Sequence, residues 1–293
     1  MPLHTKFNLV GQSKAVTQGC WSFKVSTGLA LVMLLCGCAN SPLRQGTSLS
    51  SYNNMKPARA RLTMATLWVD RTSVLSARTI RIIPTTISDA TVQAIKQPED
   101  RALIANTINR ALCVDLSDRF KVVSPVEAAD LTIRASIVDI MPTNSTAAGL
   151  STVTSLGTAI VLPVSMPRLP IGLGGLSVEA EAIGADGQQK AAMLWSRGAN
   201  SFTNKPRVSQ VGDAYSLANT FGDDFGKMLV TGQSPFGILP SIPSGQKLRA
   251  SLGGKNKYEA CNAFGSAPGI AGAIAGQVGM PPAWTDRPST IIQ

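Results

Sequence analysis

Residues 176–198 alternate around an Asp-Gly pair, and this pattern narrows the fold more than any other in the chain. From Leu176 to Gly184, Val178, Ala180 and Ala182 fall on one face and Glu179 and Glu181 on the other. That is the period of two imposed by a strand. Asp186-Gly187 suits a tight hairpin turn. Residues 191–198 then return with Met193, Leu194 and Trp195. A hairpin commits the chain to antiparallel pairing, so the other elements must build around an antiparallel or mixed sheet. Glu179 and Glu181, on the outward face, are expected to be solvated.

Three further strands are expected. Residues 78–84 place Ile80 and Ile82 on one face, 120–123 form a short strand, and 131–141 carry Leu131, Ile133, Ala135 and Ile137 inward. Two helices accompany them. The first opens at Pro98-Glu99-Asp100, where proline and acids suit a helix start, and bears the stripe Ile104, Ile108, Leu112 and Leu116. The second runs from about Asp213 to Val230 with Leu217, Phe221, Phe225, Met228 and Leu229 on one face, and stops at Gly232. The fold class is therefore α+β, with an antiparallel/mixed sheet of about five strands and two helices on one face. Residues 49–70 are expected to wrap onto it through Leu49, Tyr52, Met55, Leu67 and Trp68. Two segments depart from the pattern. Residues 142–175 are apolar, but Pro163, Pro167 and Pro170 exclude a regular spanning helix. Residues 232–293 are rich in Gly and Pro and are expected to be extended or partly disordered, anchored locally at Tyr258, Phe264 and Trp284.

The N-terminus has a different character. Lys6, Lys14 and Lys24 precede an apolar run over 27–35, followed by Cys36-Gly37-Cys38. A basic stretch, a short apolar run and small residues make a secretory signal, and the run falls well short of the roughly 20 apolar residues needed to span a bilayer. Leu35-Cys36-Gly37-Cys38 resembles the lipobox of bacterial lipoproteins. That resemblance implies cleavage after Gly37, lipidation of Cys38 and, with Ala39 rather than Asp next in line, an outer-membrane address. The plain alternatives are a secreted protein or a buried N-terminal helix. The expected organisation is a signal peptide over 1–37, a polar tether over 38–48, an α+β domain over 49–231 and the tail over 232–293.

Little in the remainder points to chemistry. The chain has one His, His4, within the leader. Cleavage would leave no His for a general base, a Ser-His-Asp triad or a His-bearing metal site. Of five Cys, Cys113 and Cys261 lie beyond Cys38. Either they pair, as an oxidising compartment permits, or each is a buried thiol. Two isolated Cys do not make a zinc site. Ser244-Gly245-Gln246-Lys247 matches S-x-x-K, but no S-D-N or K-T-G accompanies it and it falls in the tail. Glu179 and Glu181 share one face, whereas glycosidase carboxylates flank a substrate. Asp213, Asp223 and Asp224 lie on the polar side of a helix and lack the ligand count of a calcium loop. Gly172-Leu173-Gly174-Gly175 and Gly253-Gly254-Lys255 read as turns. Trp68, Trp195 and Trp284 read as core or anchor residues. Cleavage would remove three Lys and take the formal charge from +10 to +7; that balance either attracts anionic surfaces or is generic surface charge, and dispersed basic residues and few aromatics make nucleic acid a poor fit.

Several stretches together resemble an uncharacterised family of bacterial envelope lipoproteins, the domain of unknown function DUF3313. They are Leu49–Met55, Arg78–Pro84, Leu112–Phe120, Ala129–Ile133, Pro170–Glu179 and Pro281–Asp286. The resemblance implies an outer-membrane-associated address and supplies no activity. A weaker topological similarity to curli-export-type lipoproteins would make 149–166 a barrel strand, but that stretch lacks the alternation required. The expected function is thus a non-enzymatic, lipid-anchored protein of the outer membrane, facing the periplasm, that acts as a scaffold or assembly component. Its expected partners are the membrane and an envelope protein, with no cofactor and no metal. The alternative is a small-ligand or glycan-binding accessory lipoprotein, with a hydrolase working without His third.

Overall fold

The computed structural model describes residues 41–58, 60–161, 171–237 and 243–286, without the side chains of 154–161. These residues all lie in the unit Gly37–Gln293. Cys38, Gly37 and the rest of the leader fall outside the described residues, so the cleavage and lipidation readings concern a part not described.

The strands are β1 (Lys56–Pro57), β2 (Met64–Val69), β3 (Thr79–Ile82), β4 (Thr86–Ile87), β5 (Lys121–Val122), β6 (Leu131–Met141), β7 (Gly175–Gly184) and β8 (Gln189–Gly198). They form one sheet in the order β1-β2-β8-β7-β6-β3-β5, with β4 also pairing β6. Pairing is antiparallel from β1 through to β6 and parallel among β6, β3, β4 and β5. The expected hairpin joins β7 to β8, with Gly187 at φ 74° in the turn. The sheet is thus mixed, as its patterning implied, but has eight strands rather than about five. The additional strands are the two-residue β1 and β4, too short to show a period, and β2, within the segment expected to wrap.

Among the described residues the helices are α1 (Arg71–Ser76), α2 (Asp89–Ala94), α3 (Pro98–Leu116), α4 (Ser145–Val161), α5 (Gly212–Thr231), α6 (Gly245–Ser251) and α7 (Gly269–Gln277), with 3-10 turns at Glu259–Phe264 and Pro282–Trp284. Seven helices replace the expected two. The two long ones, α3 and α5, were legible. Asp70 and Ser88 cap the short α1 and α2 by accepting from Ser73 N and Thr91 N, as N-cap residues do.

Helices α3 and α5 cover one sheet face. Ile104, Ile108, Leu112, Phe221 and Phe225 meet Ile133, Val178, Ala180, Met193 and Trp195 in one buried core. The helices approach closely because α5 presents glycines. A Cβ on Gly222 would overlap the Ala111 side chain, and one on Gly226 would lie 2.7 Å from Asp115 Cβ. Trp195 stacks edge-on against Phe221, with centroids 5.7 Å apart, and donates from Nε1 to Asp224 Oδ2 at 2.8 Å.

The described parts of two segments expected to be irregular form regular structure. Residues 145–161 form α4, with Asn144 Oδ1 accepting from Ala147 N at 3.0 Å. Pro163, Pro167 and Pro170 follow Val161 in the sequence and lie outside the described residues, so none falls within α4. No helix of the described residues is long and apolar enough to cross a membrane. Over 243–286 the tail is folded, not extended. Cys261 is bonded to Cys113 of α3 across a separation of 148 residues. Phe264 is buried, and its carbonyl accepts from Asn106 Nδ2 at 3.0 Å. Arg110 of α3 pairs with buried Asp286, which also accepts from Tyr215 Oη at 2.6 Å. Trp284 does not anchor this segment, being 69% exposed; Asp286 does.

Candidate functional site

The second sheet face is covered as well, by the N-terminal segment. Ser41 to Ser51 run along β7 and β8, so residues 41–48 are not a free tether. Leu49 packs with Ala192 and Leu194, flanked by Leu43, Tyr52 and Met55. Glu179 and Glu181, expected in water, are both fully buried beneath this strap. Glu179 accepts from Gly46 N at 2.6 Å, Ser48 N at 3.2 Å, Ser48 Oγ at 2.6 Å and Tyr52 Oη at 2.9 Å. Glu181 accepts from Ser50 N at 2.9 Å, from Ser50 Oγ, from Gln189 Nε2 at 2.8 Å and from Arg134, which also forms an ion pair with it. Burial pushes the Glu181 carboxyl up, but the bonds from Ser50, Arg134 and Gln189 outweigh it and hold the pKa below the usual range. Burial, with the bond to Glu179, pushes the Tyr52 hydroxyl up to about 12. With their oxygens occupied by donors from the same chain, both carboxylates act as latches for the strap. The sequence signal was available in part: Ser48, Ser50 and Tyr52 alternate as the two glutamates do, but only tertiary pairing shows that the two sets face each other.

The S-x-x-K match lies at a helix start, contrary to the expected flexible tail. Ser244 caps α6 by accepting from Lys247 N at 3.0 Å, and its hydroxyl donates to Asp118 Oδ1 at 2.6 Å. Lys247 Nζ lies between Asp115 Oδ1 at 2.6 Å and Asp223 Oδ1 at 2.5 Å. This cluster borders a cavity of about 250 Å³ with Arg110, Asn219 and Asn256 on its walls. Burial is the main influence that pushes the Asp115 carboxyl up to about 8, the Asp223 charge adds to it, and Lys247 opposes. The lysine is a bridge between two carboxylates, and Ser244 serves the backbone. Each half of the motif therefore has a structural task.

The remaining candidates separate. Asp213 is buried and accepts from Gly174 N at 2.7 Å, so it ties α5 to the start of β7 rather than lying on a polar face. Asp223 belongs to the lysine cluster and Asp224 to Trp195. No group of three or more metal-ligating side chains occurs among the described residues. Gly172 and Gly253 have positive φ, at 64° and 82°, in keeping with the turn reading. Trp195 is core and Trp68 is half-buried.

A family model for a protein of unknown function, DUF3313, matches residues 44–225, more than half of the chain. The chain belongs to the DUF3313 family. The match begins within the strap and ends in α5, so in this DUF3313 chain the two latching glutamates lie inside the shared domain and the disulfide partner Cys261 outside it. No curated protein matches. Similar solved structures include the PelC dodecamer from Paraburkholderia phytofirmans, with 7% identity and a TM-score of 0.35, over 59% of this chain and 100% of that one. A DUF4136 family protein from Bacteroides thetaiotaomicron has 9% identity and a TM-score of 0.29, over 59% of this chain and 100% of that one.

Proposed function

We propose that this DUF3313 chain is a non-enzymatic, lipid-anchored protein of the bacterial outer membrane, facing the periplasm, where it acts as a scaffold or assembly component. The observation that carries the reading is the strap. From Ser50 back to Ser41 the chain is held to the sheet by Glu181, Glu179 and Ser196. It therefore reaches a point three residues from the lipobox Cys38 already fixed to a folded body. A free tether would let the body diffuse; a clamped one holds it against whatever surface takes the acyl chains. The tying of Ser244, Lys247, Glu179 and Glu181 into structural bonds favours a scaffold over a hydrolase. The filled interface between sheet and helices favours it over a binder of small ligands in that layer.

Membrane fractionation with affinity purification tests the reading. The protein is expected in the outer-membrane fraction, carrying palmitate that Cys38→Ser abolishes, and recovered with a stable envelope partner. Palmitate labelling that survives Cys38→Ser, or a soluble protein with its leader attached, would refute the anchor. Recovery without partners, together with saturable binding of a glycan, would favour the accessory-lipoprotein alternative.

A further inference from the structure

One end of the sheet differs from the rest of the surface. There β6 finishes at Met141, β7 begins at Gly175 and β8 finishes at Gly198. Ser41 lies at this end, its hydroxyl 2.9 Å from Ser196 Oγ. Separate stretches of chain converge on the same place. Thr143 N donates to Gln210 O at 2.8 Å, Asn144 N to Gly172 O at 2.9 Å and Val208 N to Gly279 O at 2.9 Å. These stretches display Leu150, Val153, Ile171, Phe202, Ile274 and Met280, all exposed. Residues 142–161, 171–175, 198–212 and 266–285 contain no Asp or Glu, and their only charges are Lys205 and Arg207. Exposed carboxylates stay at the margin, and Asp213, which accepts from Gly174 N at this end, is fully buried. Asp139 pairs with Arg44, Asp100 accepts from Gln210, and Glu99 stands beside it at the start of α3. The opposite end, where Leu131 pairs Gly184, mixes charges of both signs: Glu127, Asp130 and Asp186 stand with Arg78, Lys121 and Lys190, the last paired with Asp186.

We propose that this apolar end is a membrane-docking surface, and that its partner is the phospholipid leaflet that receives the acyl chains of Cys38. The proposal rests on the lipid-anchor reading. Cys38 is three residues from Ser41, a span of at most about 11 Å. An acylated Cys38 therefore brings this end, and not the charged opposite one, to the bilayer. Large exposed apolar patches mark interaction surfaces. A surface whose few charges are positive suits an anionic leaflet, which attracts Lys and Arg. Phe202 and Ile171 lie on the connections flanking the strand ends nearest Ser41, so they are placed to enter the interface first.

The test uses the full acylated protein in vesicles of phosphatidylethanolamine and phosphatidylglycerol, with a nitroxide on Phe202→Cys or, at the opposite end, on Val126→Cys. Both positions are exposed, at 68% and 91%, so the labels leave the core intact. At position 202 collision with oxygen should rise and collision with a water-soluble nickel chelate should fall on reconstitution; position 126 should remain aqueous. Phe202→Cys combined with Ile171→Asp should shift the label back towards water while the protein stays anchored. Mass spectrometry of the N-terminal peptide separates the two failures. An unacylated chain overturns the anchor and this proposal together. An acylated chain whose two labels are equally aqueous overturns the docking surface alone. So do spin–spin broadening between labels at 202, which would show a second copy on the patch, and shielding seen only in native envelopes, which would show a protein partner.

Discussion

Removing the bond between Cys113 and Cys261, by changing both to Ala, should weaken the fold severely. The bond closes a loop with a sequence separation of 148. The chain-entropy relation for a loop of that length gives about 5 kcal/mol at 25 °C, a large share of an ordinary domain's roughly 5–15 kcal/mol. Sγ of each cysteine is also packed, since the residues are 1% and 3% exposed, so truncation adds a small packing loss to the entropic one. Urea unfolding followed by tryptophan fluorescence reads the effect, Trp195 being buried against Phe221. With a slope of about 2 kcal/mol per molar, the midpoint should fall by about 2.5 M. Wild type unfolded in reductant should show the same shift. A fall of less than about 0.5 M with an unchanged slope would refute the reasoning. It would mean that residues 243–286 are held by Arg110, Asp286 and Phe264 so firmly that the bond constrains little, or that the unfolded chain is already compact.

Other contacts make separate demands. Asp286→Ala leaves the Arg110 guanidinium buried without its partner, and should cost about 3–5 kcal/mol by thermal or urea unfolding; Arg110→Met with Asp286→Leu should recover most of it. Gly222→Val forces α3 and α5 apart at Ala111, with an expected loss of about 1–3 kcal/mol in the same assay, whereas Gly187→Asn in the open hairpin turn should change stability little. The lowered Glu181 pKa has a defined pH signature. Its contribution is fully present above the ordinary value of 4.5 and is lost as pH falls through the depressed folded value, so Glu181→Gln should flatten the acid limb of the stability profile below pH 4.5 and leave less to lose there. The same variant should expose the strap to a protease that cuts near Arg44, read by mass spectrometry, if Ser50 is held as described.

Some of this protein was legible in its residues alone. Alternation over 176–198 and the Asp-Gly pair specify the β7–β8 hairpin, because a strand turns successive side chains to opposite faces and a glycine supplies the turn. The stripes of α3 and α5 specify two helices, because apolar residues spaced by three and four share a helical face; α5 buries that side, whereas α3 is buried all round over 103–113, where residues 243–286 also pack on it. The Cys36-Gly37-Cys38 context, by local chemistry, is the ground on which a lipid anchor is proposed. Other features arise only from partners distant in sequence. Glu179 and Glu181 alternate like solvent-facing residues, and become buried because a strap about 130 residues away donates to them. The Gly-rich tail has the composition of a loose chain, and folds over 243–286 because Cys261 and Asp286 find Cys113 and Arg110 on α3. The very short strands β1 and β4 have too few residues to show a period and exist because a neighbouring strand offers its edge. Local pattern determined which faces could be buried; long-range pairing decided what would bury them, because a side chain's solvent exposure depends on groups that its own neighbourhood in the sequence does not contain.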